Sequence, residues 1–350
     1  MAYTTINKST LYFNTLTYSG TGGNGTTTTQ AITGAGFQPD WVWLKQRTST
    51  QRHQICDVLR GANNIIGTDR NGAQVADNQI INSFDSDGFT AGYQDQANDT
   101  GYTYVSWLWR AANSQGSSNT DGSINTTYTS ANTTSGFSIS TYTGTGSVAT
   151  VGHGLGSVPK TIIIKRLNTT SNWGFYNSSL GATKYLLFNI TDGAGTASSI
   201  WNDTAPTSSV FTIGTSNDVN ASGGTYVAYC FAEKTGFSKF GSYTGNGNAD
   251  GTFIYTGFKP AWIMLKDTNS GSAGWMMFDN KRLGYNVDNN ALYPNATAAE
   301  GTGDDVDLLS NGFKARSTDA GINTSGNSYI YLAFAAAPFV GTNNIPANAR

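Results

Sequence analysis

The 350-residue chain is long enough for two or three domains, and its composition excludes several classes of protein. Charged residues make up only 12% of the chain, but aromatic residues also reach 12%, which excludes a disordered polypeptide. A formal net charge of -2 without a basic stripe excludes nucleic acid as an expected partner.

Residues 1–14 are predicted to form an N-terminal arm. The opening "MAYTTINKST" lacks the apolar segment of a secretion signal, so we expect synthesis in a cytoplasm without export by that route. No stretch approaches the roughly 18 apolar residues of a membrane span, so membrane insertion is not expected. Cys56 and Cys230 are too few for a disulfide framework or a structural zinc site, and we expect neither a metal nor a cofactor.

The chain between residues 15 and 337 is predicted to contain one unit three times. Each copy opens with a Tyr-(Ser/Thr)-Gly-(Thr/Asn)-Gly turn, at Tyr18, Tyr142 and Tyr243. A proline then precedes an apolar run that ends in lysine, from Pro39 to Lys45, Pro159 to Lys165 and Pro260 to Lys266. Each copy closes with an alternating strand that contains a matched tyrosine, at Tyr104, Tyr226 and Tyr329. Three landmarks in one order and at nearly constant spacing indicate a triplication.

These landmarks predict an all-β protein of three tandem β-sandwich repeats, jelly-roll or lectin-like, each of about 100 residues. The predicted boundaries are an N-terminal arm at 1–14, repeats at 15–111, 136–236 and 237–337, a linker at 112–135 and a C-terminal arm at 338–350. The linker is rich in Ser, Thr and Asn, which is typical of a segment that is flexible or lies along the surface.

The apolar run of each copy is predicted to be a central strand that is covered on both faces. Trp41 and Trp43 alternate with aliphatic residues, and Trp262 matches Trp41 in the third copy. The proline is expected at the first strand position, because it has no N–H for the hydrogen-bond ladder. In the closing strand Trp107 and Trp109 alternate with smaller residues, so their face is expected to pack against a second sheet.

Candidate catalytic groups are few, and we predict no catalytic residues and no enzymatic activity. His153 lies in a glycine-rich loop without the nucleophile or carboxylate that a catalytic histidine requires, so local hydrogen bonds are the favoured interpretation. Asp85 and Asp87 point the same way on an extended chain, but "SFDSDGF" lacks the other ligands of a calcium loop. A role in the turn explains this Asp-Gly sequence better.

Four aromatic residues lie in segments that resemble loops: Trp173, Trp201, Trp275 and Tyr293. Two interpretations are open for them. They either cap the ends of the sandwiches, which we favour because most large aromatic residues are buried, or they are exposed and stack on sugar rings. They are therefore the speculative ligand-binding residues of the chain.

Several stretches resemble repeat-bearing virion structural and tail-fibre-like proteins of marine tailed phages, of the cyanophage and pelagiphage type. They include "ITGAGFQPDWVWLKQR", "SFDSDGFTAG", "GTYVAYCFAE" and "YIYLAFAAAPF", and together the matching stretches cover nearly the whole chain. The resemblance implies an exposed component at the virion surface with lectin-like β-sandwich modules. It defines no catalytic residues that could be transferred to this sequence.

These observations favour a non-enzymatic virion surface protein of a tailed bacteriophage, similar to a tail fibre or adhesin, that contacts host surface polysaccharide. A capsid decoration protein that stabilises the phage head is the first alternative, and a polysaccharide depolymerase is the second. The expected partners are other virion proteins and further copies of the chain, with a trimer favoured. A surface of low charge suits weak contacts that are multiplied over many copies.

Overall fold

The structure is a computed structural model that describes residues 4–22, 27–269, 271, 273–282, 286, 290–303 and 305–343. Strands in antiparallel sheets dominate it, which confirms the all-β prediction. The helices are short: a 3₁₀ helix at Ser9–Leu11, α1 at Asp95–Asn98, α2 at Ser198–Trp201 and α3 at Asn217–Asn220. Within the ranges given above, no helix has the length and apolarity needed to cross a membrane.

The first unit, residues 13–109, contains a four-stranded and a three-stranded sheet. Its strands are β1 Phe13–Ser19, β2 Gln30–Thr33, β3 Trp41–Gln46, β4 Gln54–Asp57, β5 Asn64–Ile65, β6 Val75–Ala76, β7 Ile81–Asp85, β8 Gly88–Ala91 and β9 Thr103–Trp109. The large sheet has the order β1-β9-β3-β4, the small sheet has the order β2-β8-β7, and β5 pairs with β6.

The second unit, residues 137–231, is preceded by a strand of the linker, β10 Tyr128–Asn132. Its own strands are β11 Phe137–Thr143, β12 Ala149–Gly152, β13 Thr161–Arg166, β14 Trp173–Asn177, β15 Lys184–Leu187, β16 Gly195–Thr196, β17 Val210–Ile213 and β18 Thr225–Phe231. The large sheet has the order β10-β11-β18-β13-β14-β15-β16, and β12 pairs with β17.

The third unit, residues 238–338, contains a four-stranded and a three-stranded sheet, as the first unit does. Its strands are β19 Ser238–Thr244, β20 Phe253–Tyr255, β21 Phe258–Asp267, β22 Met276–Asp279, β23 Val306–Leu309, β24 Gly312–Ala315 and β25 Ser328–Pro338. The large sheet has the order β19-β25-β21-β22 and the small sheet the order β20-β24-β23. In every unit the opening strand therefore pairs with the closing strand, which pairs with the apolar strand.

The matched tyrosines are cross-strand partners in all three large sheets. Tyr18 lies opposite Tyr104, Tyr142 opposite Tyr226 and Tyr243 opposite Tyr329. The ring centroids of the three pairs are 5.0, 5.1 and 5.0 Å apart, each with 13° between the ring planes. Stacked cross-strand aromatic pairs stabilise a sheet and help to set its register.

The prediction of covered central strands is confirmed, but the proline is not the first strand residue in any of the three copies. Strands β3, β13 and β21 have a neighbour on each side, and almost all their residues are buried. Pro39 and Pro159 precede their strands by two residues. Pro260 instead lies inside β21, where the register shifts on both sides of it. A bulge tolerates proline because the ladder is interrupted there.

The three large sheets pack against one another around one shared core. Trp109 contacts Trp41 of its own unit at 4.5 Å between ring centroids, and Trp262 and Phe334 of the third unit at 5.6 Å each. Trp41 also stacks on Tyr229 of the second unit at 4.7 Å. The aromatic face of the closing strand therefore packs on the large sheets of the neighbouring units, and not on a second sheet of its own unit.

The opposite face of each large sheet packs against the small sheet of the same unit. Separate buried clusters fill these spaces, and they contain Leu108 in the first unit, Phe211 in the second and Phe313 in the third. Each unit thus has a sandwich core of its own in addition to the shared core. This layering supports the β-sandwich character of the fold.

The segment between the first two units, residues 112–135, lies along the second unit. Strand β10 extends the large sheet beyond β11, and Ile124 forms a parallel bridge with Val151 of β12. The amide N–H of Ser123 donates to the Thr150 Oγ1 at 2.8 Å. Side-chain and main-chain hydrogen bonds thus hold this Ser/Thr/Asn-rich segment on the surface.

The described parts of the two terminal arms contact each other. The Asn7 Nδ2 donates to the Thr342 Oγ1 at 2.5 Å, and the Thr342 N–H donates to the Asn7 Oδ1 at 2.6 Å. Ile6 is buried in the shared core, and the Tyr12 ring packs edge-on against Phe237. Residues 1–3 and 344–350 of the predicted arms lie outside the described residues.

Candidate functional site

The three units contact one another in a closed ring. One main-chain hydrogen bond recurs at each junction: Gln74 N–H to Leu167 O (2.9 Å), Ala194 N–H to Thr268 O (2.9 Å) and Glu300 N–H to Arg47 O (2.7 Å). These bonds join the first unit to the second, the second to the third and the third to the first. Every acceptor is the second residue after a matched lysine.

The matched lysines Lys45, Lys165 and Lys266 are fully buried beside these junctions. Main-chain carbonyl oxygens accept from their Nζ atoms. Lys165 donates to Ser171 O at 2.7 Å and to Asn71 O of the first unit at 3.0 Å. Lys266 likewise donates to Thr191 O of the second unit at 2.9 Å. Burial lowers the pKa of each lysine to about 8. Lys165 and Lys266 therefore tie neighbouring units together, whereas Lys45 donates to Gln46 O and Ser49 O of its own unit.

We expect Lys165→Met to destabilise the protein by about 1–3 kcal/mol, because the buried Ser171 O and the part-buried Asn71 O lose the charged donor that links them. Thermal or urea unfolding measures this loss, with Lys8→Met as the control because Lys8 is exposed. Equal stability of the two variants would contradict the tie between units.

The same variant changes how stability depends on pH. The pKa of Lys165 is lowered from 10.5 to about 8 in the folded protein, so the unfolded chain binds more protons between these pH values. The contribution of Lys165 to the free energy of unfolding therefore rises as the pH increases from about 8 to 10.5. The difference in stability between the parent protein and Lys165→Met should widen over this interval.

Three of the four speculative ligand-binding aromatic residues, Trp173, Trp201 and Trp275, are fully buried, so the less favoured interpretation, exposure for stacking on sugar rings, is wrong for them. The Trp173 Nε1 donates across a junction to Gly67 O at 3.2 Å and to Arg70 O at 3.1 Å. The Trp275 Nε1 donates to Leu187 O at 3.4 Å across the next junction.

The other two residues of this set belong to individual units. Trp201 is buried in the outer core of the second unit, where its ring meets Tyr176 edge-on at 5.6 Å. Tyr293 is half-buried and packs against the outer core of the third unit. Buried indoles cannot present a face to a sugar, because protein atoms already cover them. The favoured interpretation, that these residues are covered and cap the sandwiches, describes the tryptophans better, but Trp173 and Trp275 are covered by neighbouring units in the shared core.

Aspartate–arginine ion pairs are buried at two of the junctions between units. The Arg60 Nε lies 2.5 Å from the Asp57 Oδ2, which also accepts from the Tyr229 hydroxyl of the second unit at 2.7 Å. The Arg282 Nε lies 2.7 Å from the Asp279 Oδ2, which also accepts from the Trp107 Nε1 of the first unit at 2.9 Å.

The second unit has neutral residues at the matched positions, Asn177 and Leu180. The matched residue on the closing strand of the third unit is Leu332, which has no hydrogen-bonding side chain. The ion pair is therefore present at the two junctions where the neighbouring strand supplies a donor. These carboxylates serve packing between units, and they are not accessible to a substrate.

The other sequence candidates have structural roles. His153 accepts at Nδ1 from the Leu155 N–H at 3.2 Å and lies with Nε2 3.2 Å from Thr207 O, which confirms local hydrogen bonding. Asp87 accepts from the Gly36 N–H at 2.6 Å, and Asp85 accepts from the Thr90 hydroxyl at 2.8 Å. Asp85 is the last residue of β7 and Asp87 lies in the turn before β8, and both carboxylates bond to other segments of the first unit.

The acidic, histidine and cysteine side chains of the described residues are too far apart or too deeply buried to form a metal or thiol site. Within those residues, no group of three or more His, Cys, Asp or Glu side chains could hold a metal ion. Cys56 and Cys230 are buried in separate units, and burial raises the pKa of both thiols. A buried neutral thiol is a weak nucleophile and a poor metal ligand.

A cleft of about 290 Å³ lies between the second and third units. Its polar lining includes Ser179 and Lys184 of the second unit, and Ser242, Asn269 and Ser328 of the third. Hydroxyl, amide and ammonium groups can hydrogen-bond to a polyhydroxylated ligand without requiring it to carry charge. A smaller cleft of about 120 Å³ in the first unit is lined by Arg52, Arg70 and Asp77 among others, and it is more highly charged.

Two exposed aromatic residues on β20 are not among the residues predicted from the sequence. Phe253 and Tyr255 retain 45% and 50% of their full exposure, and Ile254 between them is buried. The alternation in "TFIYTG" was the available signal, because a strand with one buried face places every second residue on the other face.

A comparison with curated proteins gave no match. A family model described as a domain of unknown function, DUF7483, matches residues 8–338. The match begins in the N-terminal arm and ends at the last residue of β25, so it includes the linker and all three units. The chain therefore belongs to the family described as a domain of unknown function, DUF7483.

Proposed function

We propose that this protein is a non-enzymatic surface component of the virion of a tailed bacteriophage, similar to a tail fibre or adhesin, that contacts host surface glycans. The observation that carries the proposal is the polar cleft between the second and third units, which is lined by Ser179, Ser242, Asn269 and Ser328. Such groups suit the hydroxyls of a polysaccharide. The sequence resemblance to phage virion proteins supports the location.

The proposal includes an origin of the three units as tandem lectin-like repeats. Besides strand order and the tyrosine pairs, one buried asparagine recurs near the end of each unit. Its Oδ1 accepts from the backbone of the opening turn, in the contacts Thr21 N–H to Asn98 (2.8 Å), Thr145 N–H to Asn220 (2.8 Å) and Asn246 N–H to Asn323 (2.9 Å). Because the contact joins both ends of a unit, its recurrence supports one ancestral module.

The ring of three units also affects how copies of the chain are expected to assemble on a particle. If the three units descend from one module, their arrangement around a shared core would give one chain an approximate threefold axis. A single copy would then suit a threefold position on a particle. The homotrimer favoured by the sequence remains a prediction, and light scattering of the purified protein measures it directly.

Binding of the purified protein to host surface polysaccharide tests the glycan contact. We expect Ser242→Trp to weaken this binding at least tenfold, because the indole would occupy the cleft. Thr17→Trp is the matched control, since Thr17 is also exposed and directly precedes the matched tyrosine of the opening strand in the first unit. Equal binding by the parent protein and Ser242→Trp would exclude the cleft as the contact.

Two further measurements separate the alternatives. Electron microscopy of phage labelled with an antibody against this protein gives the position of the protein on the particle. Label on the capsid, together with unstable heads in phage that lack the protein, would identify a decoration protein. Incubation with host polysaccharide, followed by measurement of chain length, detects a depolymerase. We expect label on the tail and unchanged chain length.

A further inference from the structure

The small outer sheet of the third unit presents an aromatic surface to solvent. Phe253 and Tyr255 lie on β20, the edge strand of the sheet, and point away from the buried Ile254. Residues two apart on a strand are separated by about 7 Å. Tyr255 lies opposite Gly312, where a Cβ would be 2.0 Å from Ile254 O and 3.1 Å from the Phe253 Cε2. Glycine at this position therefore permits the close approach of the two strands, and the Phe253 ring lies beside it.

Charged side chains of both signs border these rings. Lys314, the cross-strand partner of Phe253, forms an ion pair with Asp250. Arg316 lies 3.6 Å from Asp250 and 3.4 Å from Asp307, measured between nitrogen and carboxylate oxygen. The side chains of Asp250 and Arg316 are 76% and 42% exposed. Two carboxylates and two cations offer hydrogen-bond acceptors and donors while their formal charges cancel.

This aromatic pair distinguishes the third unit from the other two. Ile254 pairs with Phe313, as Ile32 pairs with Phe89 and Val151 with Phe211, so the flanking positions can be matched. The residues that match Phe253 and Tyr255 are Ala31 and Thr33 in the first unit and Thr150 and Gly152 in the second.

In the second unit the linker covers the matched positions. The Thr150 N–H donates to the Ser123 Oγ at 2.9 Å, and a Cβ on Gly152 would collide with the Asn119 side chain. The matched surface of the third unit instead carries two large rings at about half of their full exposure. The large side chains thus occur where the surface is accessible to a ligand.

We infer that Phe253 and Tyr255 form a saccharide-binding site in which the rings stack on the apolar C–H face of a neutral sugar. Asp250, Lys314 and Arg316 would hydrogen-bond to its hydroxyls. The balanced charge around the rings disfavours nucleic acid, which requires a basic surface. This inference rests on the glycan contact of the proposed function and adds a second contact to the cleft at Ser242.

The variant Phe253→Ala/Tyr255→Thr tests the inference, because it introduces the residues that the first unit carries at the same positions. Affinity electrophoresis uses dextran, a β-1,3-glucan and a neutral galactan as probes, with a sulfated galactan as the charged comparison. We expect the parent protein to bind at least one neutral probe, and the double variant to bind it at least tenfold more weakly. Tyr128→Ala, at another exposed tyrosine, should bind as the parent does.

Each other result overturns the inference in a recognisable way. Equal binding by the parent and the double variant, with weakened binding by Ser242→Trp, rejects the aromatic site and retains the proposed function. No binding of any probe or of host polysaccharide by the parent rejects both. If the parent protein self-associates, the double variant does not, and both bind sugar equally, the two rings form a contact between copies and not a sugar site. Matched thermal unfolding of the parent and the variants shows that the fold is intact.

Discussion

Trp109→Ala is expected to lower the free energy of unfolding by about 3–5 kcal/mol, the usual range for removal of a large buried aromatic side chain. Its ring touches Phe13 and Trp41 in its own large sheet, and it touches aromatic rings of the second and third units. The loss is a large fraction of a typical domain stability of about 5–15 kcal/mol. Urea unfolding followed by circular dichroism measures it.

The location of Trp109 also predicts how the protein unfolds. Because the three large sheets bury their aromatic faces against one another, we expect one cooperative transition for both the parent and the variant. Trp201→Ala is the matched control for the loss of a buried tryptophan outside the shared core, since Trp201 is equally buried but packs only in the outer core of the second unit. Independent unfolding of the three units in the parent protein would contradict the shared core as the main source of stability.

The second large effect is expected for Asp57→Asn, which should cost about 3–5 kcal/mol. The Arg60 guanidinium would remain buried without its carboxylate, and the Tyr229 hydroxyl would lose its charged acceptor across the junction. An unpaired buried charge costs more than the intact pair contributes. Thermal and chemical unfolding of the purified variant measure the loss.

The chain itself supplies the compensating replacement. Asp57→Asn combined with Arg60→Leu reproduces Asn177 and Leu180 of the second unit, and Tyr229→Phe removes the remaining polar group. We expect this triple variant to recover most of the stability that Asp57→Asn loses. If the triple variant is as unstable as the single one, the ion pair is required for a reason other than charge compensation.

Local sequence patterns predicted the strands, because the side chains of a strand alternate between its two faces. Trp41 and Trp43 indicated a covered strand, and β3 is an inner strand with buried residues on both faces. The recurring tyrosines indicated matched positions, and they are stacked partners. Pro260 was misplaced because a bulge depends on pairing with β25, which no local signal shows.

The candidate sites were harder to predict, because exposure depends on contacts between units. The sequence predicts a loop at Trp173, but this residue begins β14, and the carbonyl groups that accept from it belong to residues more than a hundred positions earlier. For Phe253 and Tyr255 the alternation indicates one buried and one outer face, but it does not show whether another segment covers the outer face. In the second unit the linker does so.

The sequence alone was sufficient for the all-β class and the repeated landmarks, since alternation, turns and strand composition act over a few residues. Only the tertiary structure showed that the three large sheets share a core, that Lys45, Lys165 and Lys266 are buried at junctions, and that the predicted tryptophans are covered. These features arise from contacts such as Tyr229 with Asp57, whose residues are separated by 172 positions. Their geometry is set by how the sheets pack, and a one-dimensional pattern does not encode that packing locally.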